Sequence, residues 1–456
     1  MSLQEVPHGR IATRRRPAPC VRDLVGGGRP VNARTPGAAG ARWFTLFTLA
    51  WLALWTAQLT PLQLLIPLQL DTPGTADRWI SGVVSSGLVL GVGGLAGVVA
   101  APLAGALSDR TRGSFGRRRP WALGGVALAV LSLIGLAFAD GPWSVGIAWV
   151  GVSVGTAAAS AAFTALIADQ LTTQRGEASS AVSSSQALGI VVGVGVIVLL
   201  GLGVVAGYLL LAGLLAVIGV TTALLLPDPA VTPTPHPARV ALHARLGALR
   251  DRDFAWMLVG RFVVNVGNAL GTGLLLFYLL YGLHRDPAAA QDELLLLIVV
   301  YTVFVVIASV LAGRLSDRSG RRVGYVLWSA VVQGAASILL AALPSFETTL
   351  VAAALLGIGY GAFMAVGLAL AADLLPREDD HARDLGFVTV SANLGQLLGP
   401  LAGAGLVAAV GGFWLVFLVG GLASVGGAVM TLAVRPRGGP ARPAGTASPP
   451  RRRAGR

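Results

Sequence analysis

The sequence GALSDRTRGSFGRRRPW at residues 105–121, between two long apolar runs, decides the fold. A shorter copy, GRLSDRSGRR, occupies residues 313–322. Five residues recur in the second copy after a constant 208 positions, among them Asp109, which becomes Asp317. The chain is therefore predicted to contain two related halves.

The composition excludes a soluble domain. The chain is 54% hydrophobic and 12% charged, with a mean hydropathy of +0.73, which is typical of a polytopic membrane protein. A membrane span needs about 20 mostly apolar residues. Gly201, Gly203 and Gly207 indicate a turn between the fifth and sixth of twelve such runs. The runs lie at 43–68, 80–107, 121–139, 143–168, 178–202, 204–226, 254–282, 294–314, 323–343, 348–372, 385–409 and 412–434.

A second repeat supports the division into halves. Asp169 follows the fourth run and Asp373 follows the tenth, 204 positions later, and the first loop has four extra residues. The predicted fold is an all-α membrane protein with twelve transmembrane helices in two pseudo-symmetric six-helix bundles of parallel orientation. The predicted parts are a disordered basic tail (1–42), a first bundle (43–226), a linker (227–253), a second bundle (254–434) and a disordered tail (435–456).

The net charge of +13 does not indicate a nucleic-acid partner, because the 34 basic residues are all Arg and are distributed unevenly. When the loops are placed alternately on two sides, one side holds only Arg78 and Arg285. The positive-inside rule then puts both termini in the cytoplasm. We expect a monomer in a bacterial inner membrane. The single Cys20 allows no internal disulfide, and no metal site or cofactor is expected.

Arg261 is the clearest charge inside a predicted span, where a charged side chain costs about 2.5–3.5 kcal/mol. Asn265, Asn268 and Thr272 follow it on one helix face. Two interpretations stay open: Arg261 contacts a solute or gate, or it reaches the headgroups or a carboxylate such as Asp373.

Other polar side chains near midspan are few. Amides and aromatic faces suit a neutral, hydroxyl-rich solute such as a sugar better than an ion, although hydrogen bonding between helices explains each group equally well. The predicted substrate cavity comprises Trp55, Gln58, Arg261, Asn265, Asn268, Gln333, Tyr360, Asn393 and Gln396.

No acidic residue lies at midspan. Proton or sodium coupling usually relies on an intramembrane carboxylate. Coupling here would depend on Asp71, Asp169, Glu177, Asp373 or a carboxylate nearer the surface, so a facilitator also stays open. The sequence shows no catalytic constellation, and we do not expect an enzyme.

The two Asp-Arg loops are predicted to act as latches between the bundles. Asp109 can accept hydrogen bonds from a helix N-terminus, and the arginines can meet carboxylates or helix C-termini of adjacent spans. The alternative is an anchor that only fixes orientation. The predicted latch set is Asp109, Arg110, Arg117, Arg118, Asp317, Arg318, Arg321, Asp169 and Asp373.

The repeated loop, at the same point in both halves of a twelve-span chain, resembles the major facilitator superfamily over residues 43–434. The longer first copy, together with Arg261 ahead of residues 262–280, is similar to the glycoside-pentoside-hexuronide symporters and the sucrose transporters. This resemblance implies alternating access, in which two bundles rock about a central site and the Asp109 and Asp317 loops steady the outward-open form.

Two departures bear on the substrate. Sodium-coupled members of that group carry carboxylates in the second and fourth spans, where this chain offers only Asp169. The eleventh span carries Gly395, Gly399, Pro400 and Gly403, similar to a motif that drug–proton antiporters carry in the fifth span. The predicted function is secondary active or facilitative transport of a small organic solute, a sugar or glycoside. The alternatives are an exporter of drugs or amphipathic metabolites and a membrane sensor that does not transport.

Overall fold

The computed structural model describes residues 40–72, 78–111, 115–171, 174–228, 251–374 and 381–433. Within these ranges every regular element is a helix. Twelve helices are long and apolar enough to cross a membrane, which confirms the predicted all-α membrane fold. The predicted tails lie outside the described residues except at 40–42, and so does most of the predicted linker.

The first half consists of α1 (Ala41–Leu70), α2 (Arg78–Arg110), α3 (Arg119–Ala137), α4 (Gly141–Gln170), α5 (Arg175–Leu199) and α6 (Val204–Leu225). The second half consists of α7 (Arg252–Gly282), α8 (Pro287–Ser319), α9 (Arg322–Ala342), α10 (Phe346–Asp373), α11 (His381–Val410) and α12 (Trp414–Leu432).

Local sequence explains several helix boundaries. Gly201 adopts φ +60° in the turn between α5 and α6, where the sequence predicted a turn. Gly320 adopts φ +66° and ends α8 as a left-handed cap. Pro61 lacks an N–H group, and α1 widens into a π-helical turn from this residue. Ala41 and Arg42, predicted to belong to the tail, already form the first turn of α1.

The two halves repeat one close helix contact. Gly189 and Gly193 of α5 face α1, while Gly395 and Gly399 of α11 face α7. A Cβ atom on Gly193 would lie 1.9 Å from Thr60 Oγ1, and one on Gly399 would lie 2.2 Å from the Ala269 Cβ. Each glycine pair therefore lets two helix backbones approach closely.

The halves meet along two helix pairs, α2 with α11 and α5 with α8. A Cβ atom on Gly87 of α2 would lie 2.4 Å from the Ala404 Cβ, and one on Gly94 would lie 2.2 Å from Leu397 Cδ1. Gly87 lies in the half of α2 nearer Arg78, and Gly94 lies at its middle. These contacts therefore join the two bundles toward that end of the molecule.

Candidate functional site

The long helices place the polar and aromatic features at two opposite ends. We call the end that carries Asp109 and Asp317 the motif end. We call the opposite end, which carries Trp79, Tyr281 and Phe413, the aromatic end. α2 runs from Trp79 to Asp109 and so connects the two ends.

Arg118 is the centre of the first motif cluster. Its side chain is only 6% exposed and lies 2.8 Å from Asp109 Oδ1, 2.9 Å from Asp169 Oδ2 and 2.9 Å from Ser108 Oγ. Arg117 pairs with Asp109 as well. Burial alone would lower the pKa of Arg118, but its bonds to Asp169 and Asp109 hold that pKa above its ordinary value. The cluster thus fastens α2, α3 and α4 of one half.

Asp228, which the sequence did not single out, completes this cluster. Its Oδ2 accepts the backbone N–H groups of Arg118 and Arg119 at 2.7 and 2.8 Å, and so satisfies the N-terminus of α3. Arg119 in turn donates to the carbonyls of Ala223 and Leu226 at the end of α6. Gly116 (φ +99°) is required here, because a Cβ atom would lie 2.1 Å from Asp228 Oδ2.

The second motif cluster is smaller. Arg322 corresponds to Arg118 after 204 positions, and its Nη2 lies 3.4 Å from Asp317 Oδ1. Its Nη1 donates to the Ala369 carbonyl at 2.7 Å. Ser316, the counterpart of Ser108, is buried, and its Oγ has no partner among the described residues.

The structure distributes the predicted latch residues unevenly. Arg110, Arg318 and Arg321 are exposed, and Arg322, the residue after Arg321, contacts Asp317 instead. The side chain of Asp373 lies outside the described residues. The contacts described for Asp109 join helices of its own half. A latch between the two bundles stays a prediction.

The aromatic end joins the two halves. The Tyr281 hydroxyl of α7 donates to Asp71 Oδ1 at the end of α1, at 2.5 Å. The Trp79 ring stacks on Tyr281 with centroids 5.0 Å apart and on Phe413 at 5.6 Å. Burial raises the pKa of Asp71, although the Tyr281 hydroxyl and the Thr72 N–H oppose this shift. The aromatic end is therefore closed.

Four polar side chains of the second half lie in two hydrogen-bonded pairs near midspan. Tyr301 donates to Asn268 Oδ1 at 3.5 Å, and Gln396 Nε2 donates to the Tyr360 hydroxyl at 2.7 Å. The two tyrosine rings stack with centroids 6.3 Å apart. We call these residues the amide–tyrosine layer. The sequence predicted three of its members and missed Tyr301, which lies in the strongly apolar α8.

The other predicted cavity residues lie around this layer. Gln333 is fully buried, and neither of its amide atoms has a partner among the described residues. Asn393 is exposed on α11. Trp55 and Gln58 are partly exposed on α1, and no contact described for them reaches the amide–tyrosine layer.

Exposed polar residues lie on α5 and α11, away from the aromatic end. Ser180, Ser183 and Ser184 of α5 are exposed toward the motif end, as are Asn393 and Gln396 of α11 near midspan. Hydroxyl and amide groups at membrane depth face protein or water rather than lipid. These residues form a polar strip that runs from midspan toward the motif end, away from the closed aromatic end.

Arg261 lies inside the second half. The residue is 5% exposed, and its Nη2 lies 3.3 Å from Met364 Sδ. Its guanidinium carbon lies 5.5 Å from the centre of the Phe363 ring. Asn265 bonds back to the Arg261 carbonyl at 2.8 Å. No carboxylate of the described residues pairs with this arginine.

A family model of the Major Facilitator Superfamily matches residues 81–290 and, again, residues 261–455. The chain belongs to the Major Facilitator Superfamily. The two successive matches agree with the internal repeat, and the twelve candidate spans agree with a multi-pass membrane protein.

The similar proteins do not point to one class of substrate. A segment of 142 residues is 33% identical to a "Putative multidrug resistance protein MdtD" of Klebsiella pneumoniae and to one of Cronobacter sakazakii. The segment covers 31% of this chain and 29% of each relative, so the chain matches less than a third of their length.

Two types of solved transporter share the fold. A mutant form of the nucleoside transporter NupG superposes with a TM-score of 0.70 at 15% identity, over 86% of this chain and 99% of that one. A POT family transporter in complex with a thioalcohol-conjugated peptide superposes with a TM-score of 0.66 at 13% identity, over 86% and 96%.

Proposed function

We propose that this transporter moves a small, neutral, hydroxylated organic solute, a sugar or glycoside. The observation that carries the proposal is the amide–tyrosine layer, formed by Asn268, Tyr301, Tyr360 and Gln396. Amide and phenol groups both donate and accept hydrogen bonds, as sugar hydroxyls do. The stacked tyrosine rings offer an apolar face for the carbon skeleton of a sugar.

The predicted membrane orientation makes the motif end cytoplasmic. The Arg-rich loops and both termini then lie on the cytoplasmic side of a bacterial inner membrane. In this proposal the structure is accordingly the inward-open state. On this basis the solute leaves or enters through the space lined by the α5 serines and Asn393.

Alternating access requires that the aromatic end open and the motif end close. Opening breaks the Asp71–Tyr281 hydrogen bond and separates Trp79 from the second half. The motif clusters hold each bundle rigid during this movement, because their described ion pairs lie within one half. The glycoside-pentoside-hexuronide type, any proton or sodium coupling and a monomeric state remain parts of this proposal.

Export of drugs or amphipathic metabolites is the second candidate. The partial identity to the MdtD proteins of Klebsiella pneumoniae and Cronobacter sakazakii favours it. The glycines of α11 with Pro400 are similar to the motif of drug–proton antiporters. Those antiporters carry it in the fifth span, where this chain has Gly189 and Gly193 without the proline, and this difference weakens the case for export.

A ligand screen separates the two candidates. A ligand that binds only the folded protein raises its apparent melting temperature. We expect a mono- or disaccharide to stabilise the detergent-purified protein and to be taken up by proteoliposomes. Stabilisation by lipophilic cations alone would contradict the sugar proposal and support export.

A pair of variants tests the site. Gln396→Ala is expected to remove the sugar-induced shift, because it removes the amide beside Tyr360. The matched control is Gln291→Ala, since Gln291 is a partly exposed glutamine of α8 whose described hydrogen bond goes to its own helix. Equal shifts in the two variants would show that the amide–tyrosine layer does not bind the solute.

A further inference from the structure

Two small cavities occupy corresponding places in the two halves. Ala122, Phe163 and Leu166 line the first, together with Arg118, Arg119 and Asp228. Val326, Gly367 and Leu370 line the second, together with Arg261 and Thr431. The first three residues of each set correspond after exactly 204 positions. Each cavity has room for about one water molecule.

The first cavity contains its own counter-charges. Asp228 lines it directly, and Asp109 and Asp169 pair with the guanidinium of Arg118. The charge of Arg118 is therefore neutralised by the protein itself.

The second cavity contains a cation without a counter-charge from the described residues. Arg261 is 5% exposed, and its Nε and Nη1 atoms are buried without a hydrogen-bond partner among the described residues. Its neighbours in the cavity are apolar apart from Thr431, whose hydroxyl donates to the Gly427 carbonyl at 3.1 Å. An unpaired buried guanidinium is costly.

Sequence and packing indicate that this place is adapted to a guanidinium. Gly367 replaces the Phe163 of the first half, and a Cβ atom on Gly367 would lie 2.9 Å from Arg261 Nη1. Where the first half carries Asp228, the sequence carries Leu432 after the same 204 positions. The chain after Leu432 contains no Asp or Glu at all.

We propose that the second cavity binds a small inorganic anion of the size of chloride, held by the Nε–H and Nη1–H groups of Arg261. Two charge-assisted hydrogen bonds to the anion satisfy both donors and neutralise the cation. The cavity is too small for an organic solute, so this anion is a resident part of the second half. The proposal does not depend on which solute is transported.

The test compares the apparent melting temperature of the purified full-length protein in sodium chloride, sodium bromide, sodium acetate and sodium gluconate at equal ionic strength, without solute. We expect the melting temperature to rise with the logarithm of the halide concentration, relative to gluconate. Arg261→Gln is expected to lose this rise. Arg321→Gln, which changes an exposed arginine near the same end, is expected to keep it.

A second variant guards against misfolding of Arg261→Gln. Gly367→Ala keeps the arginine but pushes against Nη1, so the halide concentration for half of the stabilisation is expected to rise several-fold. An equal melting temperature in chloride and gluconate would overturn the proposal. A response to acetate alone would also overturn it, and would assign the site to the carboxylate of an organic solute.

The remaining control tests whether Asp373 is the counter-charge of Arg261, because the side chain of Asp373 lies outside the described residues. If Asp373 neutralised Arg261, the wild-type protein would show no halide response and Asp373→Asn would acquire one. That result would overturn the proposal. We expect the wild type and Asp373→Asn to respond to halide alike.

Discussion

The motif end and the aromatic end are held together in different ways. At the motif end, the buried Arg118 side chain ties α2 to α3 and α4 of its own half through ion pairs with Asp109 and Asp169. At the aromatic end, Tyr281 and Asp71 come from different halves, and Trp79 adds ring contacts between them. In the proposed movement, the contacts that last are ion pairs centred on the buried guanidinium of Arg118, whereas the contacts that break are a single hydrogen bond and stacked rings.

The largest loss of stability is expected for Arg118→Ala, at the motif end. The change leaves Asp169 without its described partner and Asp109 with Arg117 alone. Removing one member of a buried pair costs about 3–5 kcal/mol. We expect about 2–4 kcal/mol of lost stability, because the Asp109 side chain is half exposed and screened by solvent. This loss of stability is checked by the apparent melting temperature of the purified protein.

The second half supplies matched controls for this change. Arg322→Ala is expected to cost less, because the Arg322 side chain is 26% exposed and lies 3.4 Å from Asp317. Arg321→Ala, at an exposed position, is expected to cost little. Equal losses in all three variants would contradict the difference between the two motif clusters.

The second-largest effect is expected for Trp79→Ala, which weakens the contacts that close the aromatic end. The change removes two ring contacts worth about 0.5–1.5 kcal/mol each, so the aromatic end should open about tenfold more often. Opening can be followed with Val83→Cys in a Cys20→Ser background. Because Val83 is fully buried in the closed state, a cysteine there reacts with a membrane-impermeant thiol reagent when the aromatic end opens. Trp143→Ala is the control, since Trp143 is 87% exposed. Labelling at the wild-type rate in Trp79→Ala would contradict the prediction.

Asp228→Ala should have a smaller effect, at the motif end. The change removes the acceptor for two N–H groups at the start of α3, and loss of such a cap costs about 1 kcal/mol. Thermal unfolding checks the value. Asp228→Asn keeps an acceptor oxygen and should lose less stability. An equal loss of stability in the two variants would show that the missing hydrogen bonds to the start of α3 are not its cause.

The smallest effect is a pH dependence at the aromatic end. Burial raises the pKa of Asp71 in the closed state, so the closed state binds a proton more tightly than an open state in which this carboxyl meets water. Protonation of Asp71 therefore favours the closed state. Opening of the aromatic end should increase as the pH rises above about 4, the ordinary pKa of a carboxyl group. Tyr281 donates to this carboxyl. The other charged or titratable groups of the described residues at the aromatic end are Arg78, Asp140, His284, Arg285, Asp286, Asp292, Glu293 and Glu347.

Asp71→Asn isolates this carboxyl, because the amide oxygen still accepts the Tyr281 hydroxyl but does not titrate. We expect Val83→Cys labelling to lose its pH dependence in that range when Asp71 is replaced. A pH dependence that persists would assign it to one of the other groups.

The sequence predicted the fold well because a membrane span leaves a long local signal. All twelve apolar runs became helices, and the turn at Gly201 lies where glycines indicated it. The boundaries shifted by several residues where polar residues continue a helix, as at Ala41 and Arg252.

The site was harder to predict, because its contacts depend on distant residues. Arg117, Arg118 and Arg119 are adjacent in sequence, yet only the fold decides that Arg118 turns inward between Asp109 and Asp169. The Asp71–Tyr281 contact spans 210 positions and has no sequence pattern.

The measurement that tests alternating access most directly is a pair of spin-label distances in lipid nanodiscs, in a Cys20→Ser background. Labels at Ser81 and Trp414 report the aromatic end, and labels at Phe115 and Ser319 report the motif end. We expect Trp79→Ala to lengthen the first distance and shorten the second in the same fraction of molecules. Lengthening at the aromatic end with no change at the motif end would contradict the movement of two rigid halves.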